Sequence, residues 1–503
     1  MKHKPFTRIG SFLLSAFLYT SSVFSVAAIP LTAAAAPSSL EELKAQQEAR
    51  MTLPIQSNET ENWPDGPAIG AEGAILLEAG TGVILYAKNI HEKLYPASTT
   101  KLMTCLLAAE SCSMDEIVNF SQEAVFSIEK GSSNIGIDAG QAMPMEECLY
   151  GILVASANEV AAAVAEHVAG SQEAFADMMN EKAKELGCTD THFVNPHGLF
   201  DEQHYTSAYD LALIAKAFFQ SELLSKIGNT ASYHFEATAD QPDDFVVRNK
   251  HQLINGDISY ESIKGGKTGY TDEARQTLVT CAEKNGMKLI CVVMKEESPE
   301  QFNDTVKLLD YGFNNFVVTN VSENETRYNI ESTGFFHTSY DVFGNSNPIL
   351  SLNRDSYLIL PKTAAFEELT SEISYDTSES DEVARINYYF HNAYVGTACI
   401  NLATKERVSY DFESEPLAKE DSSDAENNPE INIIFVNIKI VLLVVVIAAV
   451  LLIVIFIIRD IVTNYAFVSG SRSKKRKKNR RRKRRNRGKG PTFPSSRFDD
   501  FNF

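Results

Sequence analysis

The sequence predicts an α+β protein: an antiparallel sheet carrying helices on its faces, followed by a smaller run of strands. Three observations lead there. Two hairpin patterns flank a long helical block, the block runs from Ser98 to about Phe219, and alternating strand text fills roughly residues 321–404. At 503 residues the chain can hold roughly two or three domains and bury a large core.

The elements follow in order. Met1 to Ala36 carries Lys2, Lys4 and Arg8, an apolar run from Phe12 to Ile29 and small residues at Ala33–Ala36. That is the layout of a secretory signal peptide. Residues 37–65 are polar, with one short helical stretch, and read as a linker. Ile75–Ala79 and Val83–Ala87, around Gly80-Thr81-Gly82, read as the first hairpin. Inside the helical block, Ser207-Ala208-Tyr209-Asp210 has the form of a helix-starting box. The second hairpin joins Thr277–Ala282 to Leu289–Met294 through Asn285-Gly286. From Val321 strands take over, with Ile386, Tyr388 and Phe390 alternating.

Residues 409–439 form an acidic, Pro-bearing stalk, and Ile440–Ile458 is an unbroken apolar run long enough to span a bilayer. Beyond it, residues 459–503 hold 16 Lys+Arg against 3 Asp+Glu, a net of +13. Set against the total of −20, this leaves −33 for residues 1–458. Positive flanks mark the cytoplasmic side of a span. The expectation is a single-pass membrane protein with its acidic part extracytoplasmic and its basic tail inside, near anionic lipid. No aromatic residues interleave the basic run, as nucleic-acid binding would favour. The seven cysteines (Cys105, Cys112, Cys148, Cys188, Cys281, Cys291, Cys399) are odd in number and sit in apolar text. Cys105 and Cys112 on one helix would lie roughly 10 Å apart, too far to bridge. Buried thiols are expected rather than a disulfide framework, and no spacing suggests a metal site.

Three short strings carry the chemistry: Ser98-Thr99-Thr100-Lys101, Ser156-Ala157-Asn158 and Lys267-Thr268-Gly269. Each alone is weak; their order and company are informative. A serine hydroxyl needs a base to become a nucleophile. A helix beginning near Ser98 would put its side chain one turn from Lys101, on the same face. Lysine serves as a base only when burial or nearby cations lower its pKa, and Lys267 is such a cation. Ser156 and Asn158 fall in a turn between two apolar helical stretches, Met145–Val154 and Val160–Val168. The glycines around Lys267 and Thr268 suit close backbone approach to a ligand, and the ammonium and hydroxyl suit a carboxylate. Taken singly, each string also reads as an N-cap, a turn or a Gly-rich edge strand.

Over roughly residues 66–320 the chain resembles the serine-type D-alanyl-D-alanine carboxypeptidases, the low-molecular-mass penicillin-binding proteins. The segments that carry the resemblance are Tyr95–Thr104, Ala174–Asn180, Leu186-Gly187, Phe193–Leu199, Gly266–Thr271 and Leu308–Phe313. The fold implied is a penicillin-binding, transpeptidase-like catalytic domain over 66–320 and a small β domain over 321–408. Ser98 would be acylated by the penultimate D-Ala of a peptidoglycan stem peptide, with Lys101 as general base. Ser156 and Asn158 would relay the proton and position the substrate. Lys267 and Thr268, with Gly269, would hold the terminal carboxylate. Backbone N–H groups of Ser98 and Tyr270 would hold the oxyanion. β-Lactams are the implied inhibitors, and no cofactor is implied.

Two departures stand out. Glu159 replaces a common Asp, and Arg275 falls where Gly is common, where a long cation would crowd or recharge the cleft. A class A β-lactamase would want a Glu-x-x-Leu-Asn element between the second and third strings, and none is present. A non-catalytic penicillin- or wall-peptide-binding membrane protein, disabled by a change such as Arg275, is the alternative to an enzyme.

Overall fold

The computed structural model describes residues 40–326, 350–376 and 382–402. The expectations for the signal peptide, stalk, span and basic tail lie outside these residues. Among the described residues no helix is long and apolar enough to cross a membrane.

Five strands form the main sheet: β1 (Gly73–Glu78), β2 (Ile84–Lys88), β3 (Ile263–Thr271), β4 (Arg275–Lys284) and β5 (Met287–Glu296). Their order is β2-β1-β5-β4-β3 and every neighbouring pair is antiparallel. The two predicted hairpins are β1–β2 and β4–β5. The second turns through Asn285 (φ 52°) and Gly286 (φ 77°), the positive pair a tight hairpin favours.

Strand β1 is buried at all six positions, because both sheet faces are covered. Ile75 and Leu77 pack into a core with Leu211 and Ile214 of the helix Ala208–Gln220. Ala74 and Leu76 face the other way, into a core with Leu308 and Leu309 of the helix Glu300–Asn315. At Gly312 that helix lies so close that a Cβ would meet Leu76 and Leu289 side chains at 2.7 Å. The helical block is built around Lys101–Ser111, whose first eight residues are all buried. A helix apolar on every side belongs in a core. Ala-rich Asn158–Ala169 lies in the same core. Ser207 caps Ala208–Gln220 by accepting the Asp210 N–H, as its box predicts.

After the last helix, Phe316–Asn320 pairs with Tyr357–Pro361. A separate four-stranded sheet runs Leu350–Leu352, Ala393–Leu402, Glu382–Phe390, Thr370–Ser374. In Glu382–Phe390, Ala384, Ile386, Tyr388 and Phe390 are buried at alternate positions. They share one core with β1, Trp63 and Phe316.

The stretch read as a linker behaves differently. Leu40–Met51 is a helix docked on the sheet, and Trp63 is buried with its ring 5.1 Å from Phe316. The docking is polar: Gln47 donates to Glu296 (2.8 Å) and Arg50 donates to the Gly70 carbonyl (2.9 Å). A helix held by hydrogen bonds lacks the apolar stripe by which sequence reveals a packed helix, so it reads as linker text. Cys105, Cys148, Cys281 and Cys291 are buried, unbridged thiols; Cys112, Cys188 and Cys399 are part-exposed.

Candidate active site

The nucleophile candidate sits on a tight lead-in. Ala97 has φ 47°, and Ala97–Thr100 forms a 3-10 turn that passes into the helix beginning at Lys101. A non-glycine residue at positive φ costs about 1–3 kcal/mol and persists where surrounding structure enforces it. Here Gly198 (φ 81°) packs directly on the Ala97 carbonyl. Thr100 bonds His204 at 2.8 Å, and Thr104 donates to the Pro196 carbonyl at 2.5 Å. The segment Asn195–Leu199 is therefore the wall that fixes this lead-in.

Lys101 is wholly buried beneath it. Its Nζ reaches Ser98 Oγ at 3.1 Å, Asn158 Oδ1 at 2.6 Å and the His197 carbonyl at 2.6 Å. The last two partners accept only, so they hold two N–H bonds. In the neutral amine the lone pair is then left facing Ser98, where it can take the hydroxyl proton. Burial, then the nearby Lys267 and Lys250, push the Lys101 ammonium well below its ordinary range. His204, brought down to about 3 by burial, stays neutral and adds no competing cation.

Ser156 adopts φ 64° as the residue closing the turn Gly151–Ala155, and Asn158 opens the next helix. The left-handed kink presents both side chains to the same cleft. Lys267, on edge strand β3, donates to Ser156 Oγ at 3.0 Å and to the Thr268 carbonyl at 2.8 Å. Burial first, then Lys250, bring the Lys267 ammonium down to about 7. Gly269 lets β3 lie against the nucleophile: a Cβ there would meet the Pro96 carbonyl at 2.9 Å and the Ser98 nitrogen at 3.0 Å. Gly266 does the same against His251, at 2.6 Å.

A cavity of about 410 Å³ opens over these groups, lined by Ser98, Ser156, Asn158, Thr268, Gly269 and Tyr270, with Lys250, Gln276, Ser298 and Gln301 among the rest. Lys101 and Lys267 lie buried beneath the lining. All eight residues singled out from sequence thus meet at one cleft.

Arg275 does not recharge that cleft. It has φ 52°, which is why glycine suits the position, and its guanidinium is tied to Glu297 at 2.7 Å. The cation is paired, and Arg275 is not among the residues lining the cavity.

Three contributors had no role assigned from sequence, where Glu159 stood only as a departure beside the second string. Glu159 is buried and accepts the N–H groups of Ile135 (2.6 Å) and Gly136 (3.2 Å). It thereby pins the loop whose Gly131, Ser132 and Ser133 form the cleft rim. Lys250 donates to Ser133 Oγ at 2.6 Å on the same rim. The third is the His197 carbonyl. Ser/Gly loop text and a backbone oxygen give no sequence signal of their kind; only the Asn-Pro-His-Gly string could have pointed to the third.

A part-buried serine bonded to a desolvated lysine, with a second buried lysine across the cleft, is the arrangement a serine acyl-transfer centre requires. The D-alanyl-D-alanine carboxypeptidase family, peptidase S11, matches residues 58–298. D-alanyl-D-alanine carboxypeptidase DacF of Bacillus subtilis is 40% identical over 252 residues, 49% of this chain and 63% of that protein. The chain thus spans somewhat under two thirds of that relative's length. DacC of Escherichia coli is 31% identical, covering 57% of this chain and 70% of that one. The crystal structure of penicillin binding protein 6B from Escherichia coli superposes with a TM-score of 0.51 at 26% identity, over 68% of this chain and 98% of that one. The chain belongs to the D-alanyl-D-alanine carboxypeptidase family.

Proposed function

We propose that the chain removes the terminal D-Ala from peptidoglycan stem peptides through an acyl-enzyme on Ser98. The observation that carries this is the 3.1 Å contact of Ser98 Oγ with Lys101, whose other partners are acceptors. Lys101 takes the hydroxyl proton as Oγ attacks the carbonyl carbon of the penultimate D-Ala. The amide C–N bond then breaks, and the leaving D-Ala nitrogen gains a proton passed through Ser156. Asn158 positions the substrate amide, and the N–H groups of Ser98 and Tyr270 hold the oxyanion. Lys267 and Thr268, beside Gly269, receive the terminal carboxylate. Water adds to the ester carbonyl and frees Ser98. β-Lactams enter the same sequence and stop at the ester.

The reading extends to the whole chain. Residues 1–36 act as a signal peptide, 66–320 as the catalytic domain and 321–408 as a small β domain. Residues 440–458 span the cell membrane once, with the catalytic domain outside and the basic tail inside against anionic lipid. The uninterrupted apolar run and its positive flank support this part. The non-catalytic alternative loses its main motive, since the Arg275 guanidinium is tied to Glu297 and does not line the cavity.

Two experiments test the proposal. Fluorescent penicillin should label wild type and not Ser98→Ala, with the mass adduct mapping to Ser98; an adduct on another serine would overturn the assignment. Protease added outside intact cells should remove the domain and spare a tail epitope. Protection of the domain would overturn the topology.

A further inference from the structure

Arg50 lies on the N-terminal helix Leu40–Met51, ahead of residue 58 where the family match starts. Its side chain is only 7% exposed. Nε donates to the Gly70 carbonyl at 2.9 Å, and a terminal nitrogen donates to Glu297 Oε1 at 3.2 Å. Glu297 is 14% exposed and takes a second guanidinium on its other side. Arg275 reaches Glu297 Oε2 at 2.7 Å through one terminal nitrogen, and its Nε bridges both carboxylate oxygens at 3.2 Å. Arg275 in turn lies 5.7 Å from the centre of the Tyr270 ring, with a nitrogen 3.5 Å from the phenol oxygen.

The carboxylate is thus held from two sides. One side is a helix outside the family match, and the other is the first residue of β4, beside the end of β3 that carries Tyr270. Two of the clamped residues also adjoin the cleft directly: Arg275 precedes Gln276 and Glu297 precedes Ser298, both cleft-lining. A guanidinium–carboxylate pair is rigid in orientation because its two hydrogen bonds fix a plane. A second guanidinium on the same carboxylate removes the rotation that a single pair leaves.

We propose that Arg50 is a positioning residue of the catalytic cleft, acting through Glu297 and Arg275 on the strand end that presents Tyr270. The N-terminal helix is then part of the enzyme's working structure, and Arg275 is the adapter that couples it to the cleft. Where glycine stands at the Arg275 position, no such coupling exists. The inference rests on the cleft being the site of the acyl transfer proposed above.

A double-mutant cycle on the full chain tests it, using Arg50→Met, Arg275→Gly and the pair, with Glu297→Gln removing the charge that both contacts share. The readouts are kcat/KM for D-Ala release and the rate of acylation by penicillin, each normalised to titrated active sites. Melting temperature and circular dichroism report folding. With Arg275 present, Arg50→Met should lower both rates about fivefold, the scale expected of coupled neighbours. Glu297→Gln should do the same. In the Arg275→Gly background, adding Arg50→Met should change neither rate. An equal loss in both backgrounds, or no loss in folded Arg50→Met, would overturn the proposal. Failure of the underlying reading shows separately, as wild type that releases no D-Ala or retains its activity in Ser98→Ala.

Discussion

At the scale of single residues, the proposed chemistry requires two lysines to differ in protonation while sharing one cleft. Lys101 has to be neutral to accept the Ser98 proton, and burial with two neighbouring cations favours that form. Lys267 has to be charged to hold a carboxylate, yet burial brings it to about 7. The sign follows: as pH rises through about 7 the free enzyme loses the Lys267 charge, so kcat/KM should fall on that limb while protonation of Lys101 sets the acid limb. Lys267→Arg keeps its charge at all these pH values and should move the alkaline limb upward. A pH profile of kcat/KM for both forms checks this; an unchanged alkaline limb contradicts it. The three strings made these residues legible in sequence because their side chains are the chemistry. Glu159 and the His197 carbonyl were not legible, because they act on backbone groups or through them.

At the scale of elements, the cleft exists because two segments approach more closely than side chains allow. Gly269 admits β3 to the nucleophile, and Gly198 packs on the Ala97 carbonyl at positive φ. Gly198→Ala should destabilise the fold by about 1–3 kcal/mol, through both the clash and the left-handed backbone. It should also slow acylation, since the displaced carbonyl precedes Ser98. Thermal melts and penicillin acylation rates measure the two effects, and an unaltered melt would contradict the packing argument. Both hairpins and the capped helix at Ser207 were readable, since turn and cap chemistry is local. The helical text of Leu40–Met51 was readable too, but its docking was not, because its partners Gly70, Glu296 and Glu297 are distant in sequence and polar.

At the scale of the whole molecule, that helix lies over a buried acidic pair. Burial, then Asp304, raise the Glu296 carboxyl from 4.5 to about 8. The folded state therefore keeps a proton that the unfolded chain releases above 4.5. Stability from this group is full below about 4.5 and is lost as pH rises toward 8. Glu296→Gln retains an acceptor for Gln47 and should flatten that decline. Melting temperatures at pH 5 and pH 8 test it; an equal decline in both proteins would contradict it. The two cores lie on opposite faces of β1, one with the catalytic helices and the other with the strands that follow Phe316. Acyl transfer at Ser98 is measured as D-Ala release from a stem peptide ending in D-Ala-D-Ala. Wild type should release one D-Ala per peptide and Ser98→Ala none. A folded wild-type protein that binds penicillin and releases no D-Ala would overturn the carboxypeptidase reading.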